Sequence, residues 1–108
     1  MEDKILHLSI KEPYFSEIKN GTKKLEYRQY KEYWTKRLQN PDGSFKQFCF
    51  IQFRNGYSKN APMLKAQFLG TTIIKQRISL FKREKLYQIS LGEILITQPE
   101  EIVENSVK

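Results

Sequence analysis

The first part of the chain shows a strand-like pattern followed by a helix-like one. Leu6, Leu8 and Ile10 are separated by polar residues, which is the period-two pattern of a half-buried β-strand. Pro13 suits the first turn of a helix, and Asn20-Gly21 is a typical stop signal after a helix C-terminus. We therefore predict a strand and then a helix of roughly two turns.

A second strand is predicted from Lys23 to Tyr30, where polar and apolar residues alternate again. Leu25 and Tyr27 fall on one face of this strand, and Glu26 and Arg28 fall on the other. We expect the apolar pair to face the core. The charged pair is then expected to line the opposite face.

The rest of the pattern is mostly extended. Residues 31–38 can add a helical turn or two, and Asn40-Pro41-Asp42-Gly43 is a strong turn signal. The segment Gln47–Phe53 is apolar on both faces, in the manner of a buried strand. The segment Met63–Ile78 is β-rich, and its Gly70 indicates either a bulge or two strands that meet at a bend.

A last pair of extended segments, Leu86–Leu91 and Ile94–Thr97, flanks Gly92. The pattern thus predicts an α+β chain, mainly β, with five to six strands and a short helix after the first strand. A small closed or nearly closed β-barrel would remove the exposed sheet edges, and a purely antiparallel sheet with a helix on one face is the alternative. Residues 1–98 form the predicted single domain, and residues 99–108 form a loose acidic tail.

The charge of the chain favours polyanionic partners. The sequence has 19 Lys+Arg and 12 Asp+Glu, a formal net charge of +7. Such a field attracts phosphate backbones, although lysines that only keep a protein in solution are an equally open interpretation. No stretch approaches the ~20 apolar residues of a membrane span, and the start lacks the pattern of a signal peptide. We expect a cytoplasmic protein that does not contact a membrane.

Cys49 is the only cysteine, which excludes an internal disulfide bond and a cysteine cluster for zinc. It stands in the apolar run Phe48-Cys49-Phe50-Ile51. This context predicts a small core residue. We expect neither a metal ion nor a cofactor.

Charged residues are grouped where the second strand begins. Gly21, Lys23, Glu26 and Arg28 form the pattern Gly-x-Lys-x-x-Glu-x-Arg. Glu26 and Arg28 are two residues apart on one strand, so they leave the same face about 7 Å apart and can pair or share a ligand. Lys23 is out of phase with them, but it lies at the turn. An ordinary surface ion pair, worth less than about 1 kcal/mol, is the competing interpretation.

This motif lies between Leu8-Ser9-Ile10-Lys11 and the later run Ile89-Ser90-Leu91-Gly92-Glu93-Ile94. In this order the chain resembles the ASCH family, a branch of the PUA-like barrels, over most of residues 5–97. The resemblance implies a PUA-like β-barrel that binds RNA or a nucleotide in a groove lined by the lysine, glutamate and arginine of the motif.

Aromatic and basic residues are interleaved just after the motif. Tyr27, Tyr30, Tyr33 and Trp34 lie among lysines and arginines, the mixture that proteins use to stack unpaired bases. Because Tyr27 is expected to face the core, Tyr30 and Trp34 are the candidates for stacking. The predicted ligand-binding residues are Ser9, Lys11, Lys23, Glu26, Arg28, Tyr30 and Trp34.

An enzyme is the second hypothesis. One bacterial branch of the ASCH family removes the acyl group from N4-acetylcytidine, using the motif lysine, a threonine three positions later and a more distant glutamate. Here the lysine is Lys23, Glu26 stands at the threonine position, and the distant glutamate has no match. A modified mechanism would use Glu26 to activate water and Lys23 to stabilise the oxyanion.

Other ASCH proteins are reported as ribonucleases, in which the same two residues would serve as a general base and a phosphate clamp. The third hypothesis is a protein-interaction module that docks a partner on the charged strand face.

Overall fold

The computed structural model describes residues 4–58 and 60–98. The elements are β1 (Ile5–Ser9), α1 (Tyr14–Lys19), β2 (Leu25–Gln29), α2 (Glu32–Leu38), β3 (Phe50–Arg54), β4 (Met63–Arg77) and β5 (Arg83–Gln98). The fold is therefore mainly β, with five strands in one sheet and two short helices. No helix in the described part of the chain is long and apolar enough to cross a membrane. The predicted acidic tail lies outside the described residues.

The five strands form one mixed sheet in the order β1-β3-β4-β5-β2. β1 and β3 are parallel and the other neighbours are antiparallel, so the purely antiparallel alternative is wrong. The two end strands are β1 and β2, and no backbone ladder joins them within residues 4–58 and 60–98. The sheet is open there, and closure into a barrel stays a prediction.

One face of the sheet carries the core. Alternate residues of the strands point into it, as the period-two pattern of β1 predicts. Helix α1 adds Phe15 and Ile18, and α2 adds Leu38. A fully buried side chain of this size contributes about 1.5–3 kcal/mol of transfer free energy. The largest fully buried side chains are Tyr87, Phe53, Ile18, Leu38, Ile51, Leu64 and Ile89.

Both predicted helices are confirmed. Helix α1 ends at Lys19, and Gly21 follows in the left-handed region with φ 85°. Helix α2 is joined to the sheet by the buried Tyr87 hydroxyl, which lies 2.6 Å from Thr35 Oγ1 and donates to Gln39 Oε1 at 2.5 Å. These two hydrogen bonds fix α2 over β5.

The predicted turn after α2 is also confirmed. The Gly43 N–H donates to the Asn40 carbonyl at 2.9 Å. Asp42 Oδ1 accepts hydrogen bonds from the Ser44 hydroxyl at 2.6 Å and the Ser44 N–H at 2.9 Å. These hydrogen bonds lower the pKa of Asp42 below its ordinary value of 3.8, because they favour the ionised form.

β4 and β5 form one long hairpin. Its register shifts between Lys65 and Gly70, and Gly70 has a φ of 132°. Because β4 is one continuous strand, this irregularity fits the predicted bulge and not the alternative of two strands that meet at a bend. The two extended segments expected around Gly92 form one continuous strand. A Cβ atom at Gly92 would collide with the Gln67 side chain, which crosses the strand at that point.

Cys49 corrects the prediction of a small core residue, because its side chain is exposed. β3 begins one residue later, where Phe50 is opposite Ile5 of β1. Alternation from that point sends Ile51 and Phe53 into the core. The apolar run is therefore a strand only in its second half.

Candidate ligand-binding clefts

The orientation of β2 is opposite to the prediction. In the ladder with β5, Glu26 is opposite Ile89 and Arg28 is opposite Tyr87, and both β5 residues are fully buried. Residues directly opposite each other on antiparallel strands share a face. The charged pair therefore points to the core side, where Glu26 is only 7% exposed, and Tyr27 is on the outer face. Register with β5 decides this orientation, and β2 alone does not reveal it.

The buried carboxylate of Glu26 is held between two cations. Its Oε1 accepts the Tyr27 N–H at 3.0 Å and lies 3.5 Å from Lys23 Nζ, and its Oε2 lies 3.3 Å from Arg28 Nη2. An unpaired carboxylate in this position would cost several kcal/mol, so the two cations are what permits its burial. Lys23, which strict alternation places out of phase, reaches the pair from the turn before β2.

Arg28 connects the two ends of the sheet. Its Nη2 donates to the Ser9 carbonyl of β1 at 3.1 Å, as well as to Glu26. The side chain thus crosses the gap between the end strands β1 and β2. Its Nε is buried and has no hydrogen-bond partner among the described residues.

A cleft of about 610 Å³ opens on one side of Arg28. We call it the tyrosine cleft. Its walls include Ser9, Lys11, Tyr14, Glu26, Tyr27 and Tyr57. At its edge the Lys23 ammonium lies 5.7 Å from the ring centroids of Tyr14 and Tyr27. The cleft thus combines aromatic surface with one buried carboxylate and nearby cations.

Arg28 also lines a second cleft of about 630 Å³, and we call it the basic cleft. Its lining contains no Asp or Glu among the described residues. Its walls include His7, Tyr33, Trp34, Lys36, Arg37 and Lys46. Ser9, Arg28 and Tyr57 line both clefts, so the two cavities meet at the arginine.

Helix α2 presents a stack of aromatic and cationic groups to the basic cleft. Arg28 Cζ lies 5.1 Å from the Trp34 ring, and Trp34 meets Tyr33 edge to face with centroids 5.0 Å apart. Arg37 Cζ then lies 3.9 Å from the Tyr33 ring. Spacings of three and four residues place these side chains together on one side of the helix.

The structure brings most of the predicted site residues together. Ser9, Lys11, Glu26, Arg28 and Trp34 line the clefts, and Lys23 joins them through Glu26. Tyr30 does not line either cleft. Its ring packs on Tyr87 with centroids 5.2 Å apart.

Several cleft residues were missed by the sequence analysis. The spacing of Tyr33 and Arg37 on α2 was a usable signal, since residues four apart on a helix are neighbours. Tyr57 gave no such signal, because it lies in the loop after β3 and comes to line the clefts with Arg28 only in the folded chain. Other residues that were missed are Tyr14, Lys36 and Lys46.

Comparison of the chain with protein-family models, with curated proteins and with solved structures finds no match. The resemblance to the ASCH family therefore stays a prediction. The chemistry of the two clefts is therefore the basis for a functional proposal.

Proposed function

We propose that the protein binds single-stranded RNA or a nucleotide across the two clefts. The observation that carries this proposal is the position of Arg28, which lies where the tyrosine cleft meets the basic cleft and is fixed there by the buried Glu26. A ligand with a phosphate beside a base matches a site in which a cation-rich cleft adjoins a tyrosine-lined one.

The basic cleft suits the phosphate. Four cationic side chains, those of Arg28, Lys36, Arg37 and Lys46, line a cavity that has no acidic lining residue in the described part of the chain. Arginine forms paired hydrogen bonds with phosphate oxygens, and lysine acts as a point charge. This half of the site would supply affinity that depends on salt.

The tyrosine cleft suits the base. Tyr14, Tyr27 and Tyr57 offer aromatic surface, and stacking of a base on such a ring is worth about 1–3 kcal/mol. Glu26 Oε2 has one hydrogen-bond partner among the described residues, so it can accept another hydrogen bond from an exocyclic amine. This half would supply whatever base preference the protein has.

The proposal includes the fold that the ASCH resemblance implies. A PUA-like barrel requires β1 and β2 to approach each other, and the hydrogen bond from Arg28 to the Ser9 carbonyl crosses that gap. This contact supports near-closure by a side chain. The same arginine would then close the barrel and hold the ligand.

A hydrolase is the second candidate, favoured by the 3.5 Å separation of Lys23 Nζ and Glu26 Oε1 beside the tyrosine cleft. N4-acetylcytidine or an RNA phosphodiester would be the substrate. Glu26 would act as the general base and Lys23 would stabilise the oxyanion. We rank this second because two cations already neutralise the Glu26 charge in the free protein.

Binding is tested by fluorescence anisotropy with a labelled single-stranded RNA. Tyr57→Ala should weaken binding about tenfold by removing a stacking surface from the tyrosine cleft. Arg37→Gln should weaken it about fourfold at 150 mM salt by removing one phosphate contact. Lys4→Gln removes the same charge from an exposed site outside the clefts and is the matched control. Equal effects of Arg37→Gln and Lys4→Gln would contradict the proposal.

Hydrolysis is tested by incubation with N4-acetylcytidine and with RNA, with products read by mass spectrometry. Product that disappears in Lys23→Ala would establish the enzyme. Binding that is lost in the cleft variants without any product would establish a reader of RNA. Weak binding without any preference for sequence, collapsing uniformly with salt, would instead favour the protein-interaction module.

A further inference from the structure

The long hairpin extends beyond the rest of the sheet as a two-stranded ribbon. The last pair between β2 and β5 is Gln29 with Leu86, but β4 and β5 continue to pair through residues 75–77 and 83–85. The Ile78 N–H donates to the Lys82 carbonyl at 3.0 Å and closes the end. We call residues 75–85 the arm. All of its side chains are exposed except Glu84, which is half-buried.

Like charges face each other across the arm. Lys75 is directly opposite Lys85, and Arg77 is directly opposite Arg83. Such pairs destabilise an antiparallel ribbon, because their Cβ atoms are only about 4.5–5.5 Å apart. Among the described residues none of the four has an ion-pair partner, and Lys85 alone of them lies over an aromatic ring, with its Nζ 5.1 Å from the Tyr30 ring centroid.

The four cations share one face of the ribbon, since residues two apart on a strand point the same way. The two pairs are separated by about 7 Å along the strands. This is comparable to the distance between successive phosphates of an extended nucleic-acid strand. An anion between the members of each pair would remove the repulsion.

The tip of the arm is apolar. Phe81 is 97% exposed and Leu80 is 78% exposed. Nothing in the fold requires large apolar side chains at the end of a ribbon, and water contact with them is unfavourable. An exposed aromatic ring beside cations is a stacking surface for an unpaired base, and apolar tips of this kind also insert between bases.

We propose that the arm is a second RNA-binding element, in which the two cation pairs hold successive phosphates and Phe81 stacks on a base beyond them. This inference rests on the proposed function, because it concerns the same class of ligand. A single strand long enough to leave the clefts would be the ligand of the arm. Tyr30, which is two residues after Arg28, lies against Lys85 at the base of the arm.

The arrangement favours RNA over an anionic membrane. Lys75 and Lys85 lie about 10 Å below the tip, at about 3.3 Å per residue. A lipid surface touched by Phe81 would leave this lower pair out of contact. A phosphodiester strand that runs along the ribbon contacts both pairs.

The test compares labelled 4-nucleotide and 20-nucleotide single-stranded RNAs of the same base composition. Wild-type protein should bind the longer RNA more tightly. Arg77→Gln combined with Arg83→Gln should lose about tenfold of the affinity for the 20-mer at 150 mM salt, and its log–log salt slope should fall by about 1.4. Phe81→Ala should lose about fivefold. Neither variant should change binding of the 4-mer, which fits within the clefts.

Two controls separate charge and folding from the proposed contact. Lys4→Gln combined with Lys24→Gln removes the same charge from exposed positions outside the arm and should leave most of the affinity for the 20-mer. The arginine double variant should melt at the same temperature as the wild type or higher, because it removes a repulsion. If this variant is as stable as the wild type but binds the 20-mer more weakly, the cause is the loss of its contact with RNA and not a loss of folding.

The outcomes distinguish the two proposals. If the 4-mer binds and neither arm variant weakens the 20-mer more than the control does, the arm proposal is wrong and the cleft proposal stands. If neither RNA binds, both fail. Binding to phosphatidylserine vesicles that the arm variants abolish, without any effect on RNA, would make the arm a membrane contact and overturn the inference.

Discussion

The cleft motif and the arm are both rich in cations, but they treat their charges in opposite ways. In the motif, the buried Glu26 carboxylate lies between Lys23 and Arg28, within 3.5 Å of each. In the arm, lysine faces lysine and arginine faces arginine, and none of these four has a carboxylate partner in the described part of the chain.

Because one set of cations is paired and the other is not, the two sets can serve a ligand in different ways. Those of the motif are fixed in position, so they can orient a ligand and keep the sheet ends together. The cations of the arm are solvated and unpaired, so they can add affinity that depends on salt and on ligand length. We expect the motif to control the stability of the fold and the arm to control how strongly affinity increases with the length of the RNA.

The largest expected effect is on the motif. Glu26→Gln keeps the shape of the side chain but leaves two partly buried cations without their counter-charge, so we expect a loss of about 2–3 kcal/mol in the free energy of unfolding. The exposed pair of Glu32 and Lys36, with atoms 3.3 Å apart, is the matched control. Glu32→Gln should cost less than about 0.5 kcal/mol. Urea denaturation of both variants measures the contrast, and equal losses would contradict it.

A slightly smaller effect is expected at Tyr87, whose hydroxyl anchors α2 to the sheet. Tyr87→Phe removes the hydroxyl that is bonded to Thr35 and Gln39, which should cost about 1–2 kcal/mol. Because α2 carries Trp34, affinity for RNA should also fall. Tyr27→Phe removes a hydroxyl that has no hydrogen-bond partner among the described residues, and it should leave the melting temperature unchanged. A stable Tyr87→Phe with normal binding would show that the basic cleft does not depend on this anchor.

Arg28→Lys tests whether geometry matters in the motif beyond charge. Lysine keeps the positive charge but lacks the planar fork that reaches both Glu26 and the Ser9 carbonyl. We expect a loss of about 1 kcal/mol in stability and weaker binding of both short and long RNA. The corresponding change in the arm, Arg77→Lys, should leave stability unchanged. Thermal melts and anisotropy titrations measure both variants, and equal melting temperatures for Arg28→Lys and Arg77→Lys would contradict this prediction.

The smallest effect has the opposite sign. Lys75→Glu turns a repulsive cross-strand pair with Lys85 into an attractive one, so stability should rise by a few tenths of a kcal/mol. On the other face, Gln76→Glu creates a like-charge pair with Glu84 and should lower it by a similar amount. Urea denaturation of both variants measures the two changes in the free energy of unfolding. Equal shifts in one direction would mean that the ribbon register differs from the one described.

Much of the local structure followed from the sequence. The alternation of β1, the two short helices, the turn at Asn40–Gly43 and the bulge at Gly70 were all predicted, because each depends on neighbouring residues. The grouping of Lys23, Glu26 and Arg28 was also visible. Their spacing along the chain required no knowledge of the fold.

The tertiary structure decided which way these groups point. Apolar residues at 25 and 27 indicated one orientation of β2, but pairing with the fully buried Tyr87 and Ile89 imposes the other. In the same way, the first strand pair of β3 starts at Phe50 and leaves Cys49 outside. A shift of one residue in register exchanges the faces of a strand, and register is set by partners that are distant in sequence.

From the sequence one could therefore predict most of the strands, both helices and the cluster of charges at the start of β2, but not where β3 begins or that β5 is one continuous strand. It took the folded chain to show that Glu26 is buried between two cations, that Arg28 crosses from β2 to β1, and that Tyr57 lines the same two clefts. The physical reason is that periodicity is a local property, while burial and the joining of two clefts depend on contacts between distant segments.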